Sequence, residues 1–228
     1  MSRSVLAVAH RAGNSLPALH AAVEAGAHVL EADVHAHQGR LEVRHLKALG
    51  PLPFLWDRSG AGALPSPRDR WELVRHTRQL QLEELLDAAR SGATLMLDLK
   101  GVGGVGPAVA RLLHSRVPDS PLLVCGRWWP SVATFDGVPW ARQVLSARGR
   151  AELARLRHRV RTGPPLYGVS VHRSLLEPRV VDELRRRVDV VMTWPVNDRD
   201  VLARVLAAGV NGVITDEPDV LRSVVAAA

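Results

Sequence analysis

The stretch "VLAVAHRAGNSLPALHAAVEAGAHVLEADVHAHQGRLEVRH", Val5 to His45, decides the fold. Its first run, Val5–His10, is apolar and ends abruptly in His10-Arg11. From Ser15 to Ala25 the apolar residues recur at helical spacing. Val29–Val34 then returns to a strand-like run that carries Glu31 and Asp33 where a buried strand ordinarily carries valine. Alternate residues of a strand share a face, so the two acids point the same way. A near-continuous apolar strand, a helix and a second such strand predict a βαβ unit with a parallel sheet.

The same alternation continues along the chain. Further strand-like runs fall at Thr94–Lys100, Pro121–Gly126, Trp140–Ala147, Leu166–His172, Asp189–Thr193 and Gly212–Thr215. Helical patterns lie between them at Gln81–Ser91, Pro107–Arg116, Pro130–Phe135, Ala151–Val160, Pro178–Val188 and Asp198–Ala208, with a last one from Pro218. Eight β/α alternations in 228 residues, unbroken by a linker or a low-complexity segment, predict an α/β protein with one TIM (β/α)8 barrel domain over 1–228. "GRLEVRH", opening at Gly39, predicts a small hairpin insertion after strand 2. The Gly/Pro-rich stretch Gly50–Arg70 reads as a long surface excursion, and "WPSVATFDG" as the shortest helical unit.

Hydrophobic residues make up 46% of the chain and charged residues 23%, a globular balance that suits neither a disordered nor a membrane-spanning chain. No apolar run approaches the roughly 20 residues of a bilayer span, and Val5–Ala9 is shorter than a signal-peptide core. The single cysteine, Cys125, reads as a small core residue and agrees with a reducing compartment, so a cytoplasmic location is expected. The net charge of +7 comes almost wholly from arginine. Its densest runs, "RAELARLRHRVR" and Arg185–Arg187, sit at helical spacing as solvated basic faces. No recognised nucleic-acid motif accompanies them, so neither a nucleic-acid partner nor stable membrane insertion is expected. Oligomeric state is not legible.

In such a barrel the chemistry gathers at the C-terminal ends of the strands. There the sequence places His10 and Arg11, Glu31 and Asp33, His45 at the end of the added hairpin, Asp98 and Lys100, Trp194, and Asp216 with Glu217. Three buried carboxylates are too costly without a cation, and an oxygen-rich set suits a hard divalent ion such as Mg²⁺ or Ca²⁺.

These pieces resemble the glycerophosphodiester phosphodiesterases. "AHRAGNSLPALHAAVEAGAHVLEADVH" is similar to that family's opening His-Arg-Gly, Pro-Glu-Asn-Thr and Glu-x-Asp-Val elements, "VRH" to its second histidine and "LDLK" to its Glu-x-Lys. "MTWPVND" resembles its tryptophan motif and "GVNGVITDEPD" its ending, so the likeness runs in order along the whole chain. The resemblance implies a TIM barrel and a metal-dependent phosphodiesterase acting on a small phosphodiester, a glycerophosphodiester or a lysophospholipid. It implies Glu31, Asp33 and Asp98 as ligands of a divalent metal, Mg²⁺ or Ca²⁺, and His10 and His45 as the general acid and base. Arg11 and Lys100 become phosphate-binding cations and Trp194 a substrate-pocket residue. In the family the nucleophile is the substrate's own neighbouring hydroxyl, which gives a cyclic phosphate that is then hydrolysed.

The chain departs from the pattern in places. Gly13 stands where the family has the glutamate of Pro-Glu-Asn-Thr, and Leu46 follows His45 where an aspartate is usual, which leaves that histidine without an adjacent acid. Asp98 stands for a glutamate, as in the related toxin-type phospholipases D. These departures motivate a second reading, a degenerate family member that binds phosphate esters or a partner without turnover. A third, zinc hydrolysis of amidohydrolase type, rests on His35 and His37, a His-x-His in line with Glu31 and Asp33. Glu31 and Asp33 paired with Arg11 and Lys100 would be the metal-free alternative. Asn14 or Ser15, Asn197 and Asp216 read as helix caps, and Trp128 and Trp129 as a pocket wall or a packed lid.

Overall fold

The computed structural model describes residues 5–59, 70–89, 93–118 and 120–227. Eight parallel strands pair in chain order: β1 (Leu6–Ala9), β2 (Val29–His37), β3 (Thr94–Leu99), β4 (Leu122–Gly126), β5 (Ala141–Ala147), β6 (Leu166–His172), β7 (Val188–Trp194) and β8 (Gly212–Thr215). β1 hydrogen-bonds to β2 on one side and to β8 on the other, which closes the sheet into a TIM (β/α)8 barrel. The helices alternate with them: α1 (Leu16–Glu24), α2 (Leu82–Ala88), α3 (Val105–Ser115), α4 (Trp129–Ala133), α5 (Arg150–Thr162), α6 (Pro178–Arg185), α7 (Arg199–Ala207) and α8 (Pro218–Ala226). α4 is a five-residue helix, the shortest of the set, as its sequence predicts.

Alternation along each strand sorts the apolar residues into two layers. Leu30, Ala32 and Val34 of β2 face the helices with the main core cluster. The other face looks into the barrel, where Val8, Val29, Met96, Leu123, Val144, Val190, Met192 and Ile214 form a separate buried cluster that also takes in Cys125. The thiol is therefore a core group of the barrel interior.

β2 continues past the predicted Val34 because Val34–His37 pairs antiparallel with the strand Arg40–Val43. Gln38 and Gly39 turn between them with φ of 47° and 77°, the two positive values that a two-residue hairpin turn of this hand requires. Within the stretch expected to be a surface excursion, the described residues include one strand, Phe54–Ser59, and the first residue of another, Arg70. Lys47–Ala48, Phe54–Ser59 and Arg70–Arg75 form a three-stranded antiparallel sheet above the barrel. Turn-forming Gly and Pro obscure this in the sequence, since alternation is visible only within each short strand. Residues 60–69 of that stretch, and 90–91 of the second predicted helix, lie outside the described residues. Among the described residues no helix is long and apolar enough to cross a membrane.

Candidate active site

The polar residues at the barrel mouth follow from the interior layer by one rule of spacing. Two positions beyond Val8, Val29, Met96, Met192 and Ile214 stand His10, Glu31, Asp98, Trp194 and Asp216. Each therefore shares the inward face of its strand and sits one step nearer the C-terminal end. A dry apolar floor underlies a polar layer, and the polar layer opens at the mouth.

Glu31, Asp33 and Asp98 converge, with one carboxylate oxygen of each within 4.8 Å of the others. Asp33 and Asp98 are direct neighbours in the β2–β3 register, a placement that repels unless a cation intervenes. Lys100 supplies one: its Nζ lies 2.6 Å from Asp33 Oδ1 and also bonds the Asp98 carboxylate. Asn14 grips the backbone and side chain of Asp33 together, accepting from its N–H and donating to its Oδ2, each at 2.8 Å. Burial would raise the Asp33 carboxyl, but Lys100 and the hydrogen bonds from His45 and Asn14 overcome it and hold the group well below the usual range. Glu31 goes the other way, raised well above the usual value by burial and then by the neighbouring Asp33 charge.

Three carboxylates face one ammonium in this pocket. That imbalance is what a bound divalent cation would relieve. The all-oxygen donor set suits Mg²⁺ or Ca²⁺ chemistry.

The two histidines flank the cluster, His10 with a carboxylate on one ring nitrogen and His45 with carboxylates on both. His10 Nδ1 lies 2.7 Å from Asp216 Oδ1, while its Nε2 faces Glu31 Oε2 at 3.9 Å. His45 Nε2 lies 2.7 Å from Asp57 Oδ2 and its Nδ1 3.2 Å from Asp33 Oδ2. The expectation that His45 lacks an orienting acid is thus overturned. Asp57, from the strand Phe54–Ser59, occupies the role that the residue after His45 does not fill. Asp216 is likewise a histidine partner and not a helix cap: the residue preceding α8 is Glu217. Burial would raise Asp216, yet hydrogen bonds from His10 and Asn197 hold it down at about 2.

Other assignments also change. Ser15 caps α1, accepting from Ala18 N–H at 3.3 Å, whereas Asn14 is committed to Asp33. Asp198 caps α7, and Asn197 instead links Asp216 and Thr215. Arg11 adopts a left-handed backbone, φ 56°, which turns its N–H onto Glu31 Oε2 at 2.6 Å. Its contact with Glu31 is therefore through the backbone; the side-chain Nε is buried without a hydrogen-bond partner, as an anion-binding group left free would be.

Trp194 is half-buried, packed on the interior cluster and edge-on to His172 at 5.1 Å. His35 and His37 do not join the carboxylates: among the described residues the metal-competent group is Glu31, Asp33 and Asp98 alone. His37 instead lies against the His76 ring, centroids 4.7 Å apart. Gly13 packs under β2, where a Cβ would approach the Ala32 Cβ to 2.6 Å, so the position has no room for the family's glutamate.

A model described as the glycerophosphoryl diester phosphodiesterase family matches residues 190–219, the span that holds Trp194, Asn197 and Asp216. Sequence comparison with curated proteins finds no match. Among solved structures, the chain is similar to a phosphodiesterase of Oleispira antarctica in complex with the product sn-glycerol-3-phosphate: 20% identity, 97% of this chain and 96% of that one, TM-score 0.72. It is similar to the glycerophosphodiester phosphodiesterase of Thermotoga maritima at 18% identity, 97% and 99% coverage and a TM-score of 0.71. A third likeness, to the glycerophosphodiester phosphodiesterase of Parabacteroides distasonis, has 17% identity, 99% and 98% coverage and a TM-score of 0.72. The resemblance seen in the sequence is met both by the family model over β7 to β8 and by the shared barrel.

Proposed function

We propose that this chain is a phosphoric diester hydrolase of glycerophosphodiester phosphodiesterase type, which cleaves a glycerophosphodiester or a lysophospholipid to an alcohol and a phosphomonoester. The observation that carries it is the pairing of two carboxylate-held histidines across a three-carboxylate cluster. One histidine takes the proton of the attacking hydroxyl and the other returns a proton to the leaving alkoxide, chemistry suited to imidazole, which can accept or donate a proton at either ring nitrogen. Asp216 on His10 Nδ1 and Asp57 on His45 Nε2 fix the orientation of the two rings.

Glu31, Asp33 and Asp98 are the residues that would hold a divalent cation, Mg²⁺ or Ca²⁺, which when bound supplies charge stabilisation at phosphorus. Lys100 and Arg11 add fixed positive charge, and the unpartnered Arg11 Nε is the group an equatorial phosphate oxygen would satisfy. Trp194 walls the pocket. The relative that holds sn-glycerol-3-phosphate carries the type of product expected here.

The test is release of free alcohol from glycerophosphocholine, glycerophosphoethanolamine and a lysophospholipid, with Mg²⁺, Ca²⁺, Zn²⁺ or EDTA. Turnover dependent on Mg²⁺ or Ca²⁺ and abolished in His10→Ala and His45→Ala, with thermal stability retained, is the expected result. Full activity in both variants overturns the assignment. Phosphate-ester binding without turnover under any metal supports the degenerate reading that Gly13 motivates.

A further inference from the structure

The three-stranded sheet above the barrel has two unlike faces. Cross-strand partners in an antiparallel pair share a face, so Leu55 with Val74 and Asp57 with Glu72 mark one side. Leu55 is 1% exposed and Asp57 reaches His45, so the strand Phe54–Ser59 anchors the sheet to the barrel by this side, while the paired Val74 and Glu72 are exposed. The pairs Phe54 with Arg75, Trp56 with Leu73 and Arg58 with Trp71 lie on the other side.

That outer side is aromatic and aliphatic where it should be polar. Trp71 is 59% exposed, Leu73 62% and Phe54 37%, and the Trp56 and Trp71 rings stack 6.0 Å apart. The charged residues among these pairs are basic, Arg75 and the already partnered Arg58, and Lys47 joins from the neighbouring strand opposite Trp56, its Nζ 5.3 Å from that ring and 3.6 Å from Asp57 Oδ1. Among the described residues of the hairpin, the acids Asp57 and Glu72 are on the opposite side. Contiguous exposed apolar surface marks an interaction site. Tryptophan and leucine interleaved with lysine and arginine are the composition of surfaces that settle at a lipid headgroup boundary, with rings at headgroup depth and cations paired to anionic lipid.

We infer that this outer face, Phe54, Trp56, Trp71 and Leu73 with Lys47 and Arg75, is a peripheral docking surface for anionic phospholipid bilayers. Charge complementarity selects the partner: a cationic aromatic face on a chain of net charge +7 meets a negative membrane surface. Docking here holds the barrel at the bilayer by the same sheet that presents Asp57 to His45. The inference stands apart from the hydrolase reading, because binding is read without turnover.

The experiment is co-sedimentation of the full chain with phosphatidylcholine vesicles with and without phosphatidylglycerol. The expected result is partitioning that requires the anionic lipid and weakens with salt, falling about tenfold or more in the Trp71→Ser/Leu73→Ser double variant and about fivefold in Arg75→Gln. Both variants alter exposed side chains, and an unchanged thermal unfolding transition verifies their folding. A second measurement on the unaltered protein, quenching of tryptophan fluorescence by brominated phosphatidylglycerol, is expected to shrink in Trp71→Phe. Equal partitioning of wild type and the double variant, or no sedimentation with anionic vesicles, overturns the inference. So does preferential capture of single-stranded RNA that the double variant loses, which would make the face a base-stacking surface.

Discussion

His10 and His45 are each bonded to a carboxylate that lies off the metal-competent cluster, Asp216 and Asp57, and His45 also touches Asp33 within it. Asp57→Asn keeps the shape of the contact but removes the charge that orients the ring, so kcat is expected to fall about 10- to 100-fold with KM and divalent-ion affinity little changed. Steady-state kinetics and metal titration together check this, since a merely structural role for Asp57 would move stability and not kcat. Asp216 carries a second, thermodynamic consequence. Its folded-state pKa, about 2, lies below the ordinary 3.8, so its contribution to stability is fully present above about pH 4 and is lost as the pH falls through about 2. The side chain is 36% exposed, and solvent screening limits that contribution to the order of 1 kcal/mol. Asp216→Asn is therefore expected to be less stable than wild type in urea at pH 7, with the gap closing toward pH 2. A gap that stays constant over that range would dismiss the ion pair.

At the scale of elements, β2 is the strand on which the site hangs, and Gly13 packs closely against it. A Cβ at position 13 would meet the Ala32 side chain at 2.6 Å, between the two acids Glu31 and Asp33. Gly13→Ala is expected to cost about 1–3 kcal/mol by overpacking and to lower activity by displacing those acids. Thermal unfolding and the esterase-free phosphodiester assay read the two effects. Restoring a glutamate at this position should harm the enzyme for the same reason, and recovery of activity in Gly13→Glu would show that the loop relaxes. The register of β2 was legible in the sequence, because the period-two placement of Glu31 and Asp33 continues from Val29. The sheet of Phe54–Ser59 and Arg70–Arg75 was not, because short strands beside glycine and proline carry too few alternations to stand out.

For the whole molecule, the closed barrel gathers three carboxylates and Lys100 from β2, β3 and the residue after β3 into one pocket that carries net negative charge. Lys100→Met removes the one ammonium at its centre and is expected to destabilise the fold by about 2–3 kcal/mol, somewhat under the fully buried figure because the side chain is 30% exposed. Mg²⁺ or Ca²⁺ should recover much of that loss, read as a rise in unfolding temperature that EDTA reverses. No recovery with either ion would count against the carboxylates as a metal site. The amino-acid sequence by itself determined the order of eight strands and eight helices, the inward turn of Glu31, Asp33 and Asp98, and the position of both histidines at strand or hairpin ends, because these follow from periodicities of 2 and 3.6 within a few residues. Only the tertiary structure decided which acid serves which histidine, why Gly13 admits no side chain, and which face of the added sheet meets solvent. Asp216 reaches His10 across 206 positions of sequence and Asp57 reaches His45 across 12, and such contacts are set by barrel closure and sheet packing, to which local spacing is blind.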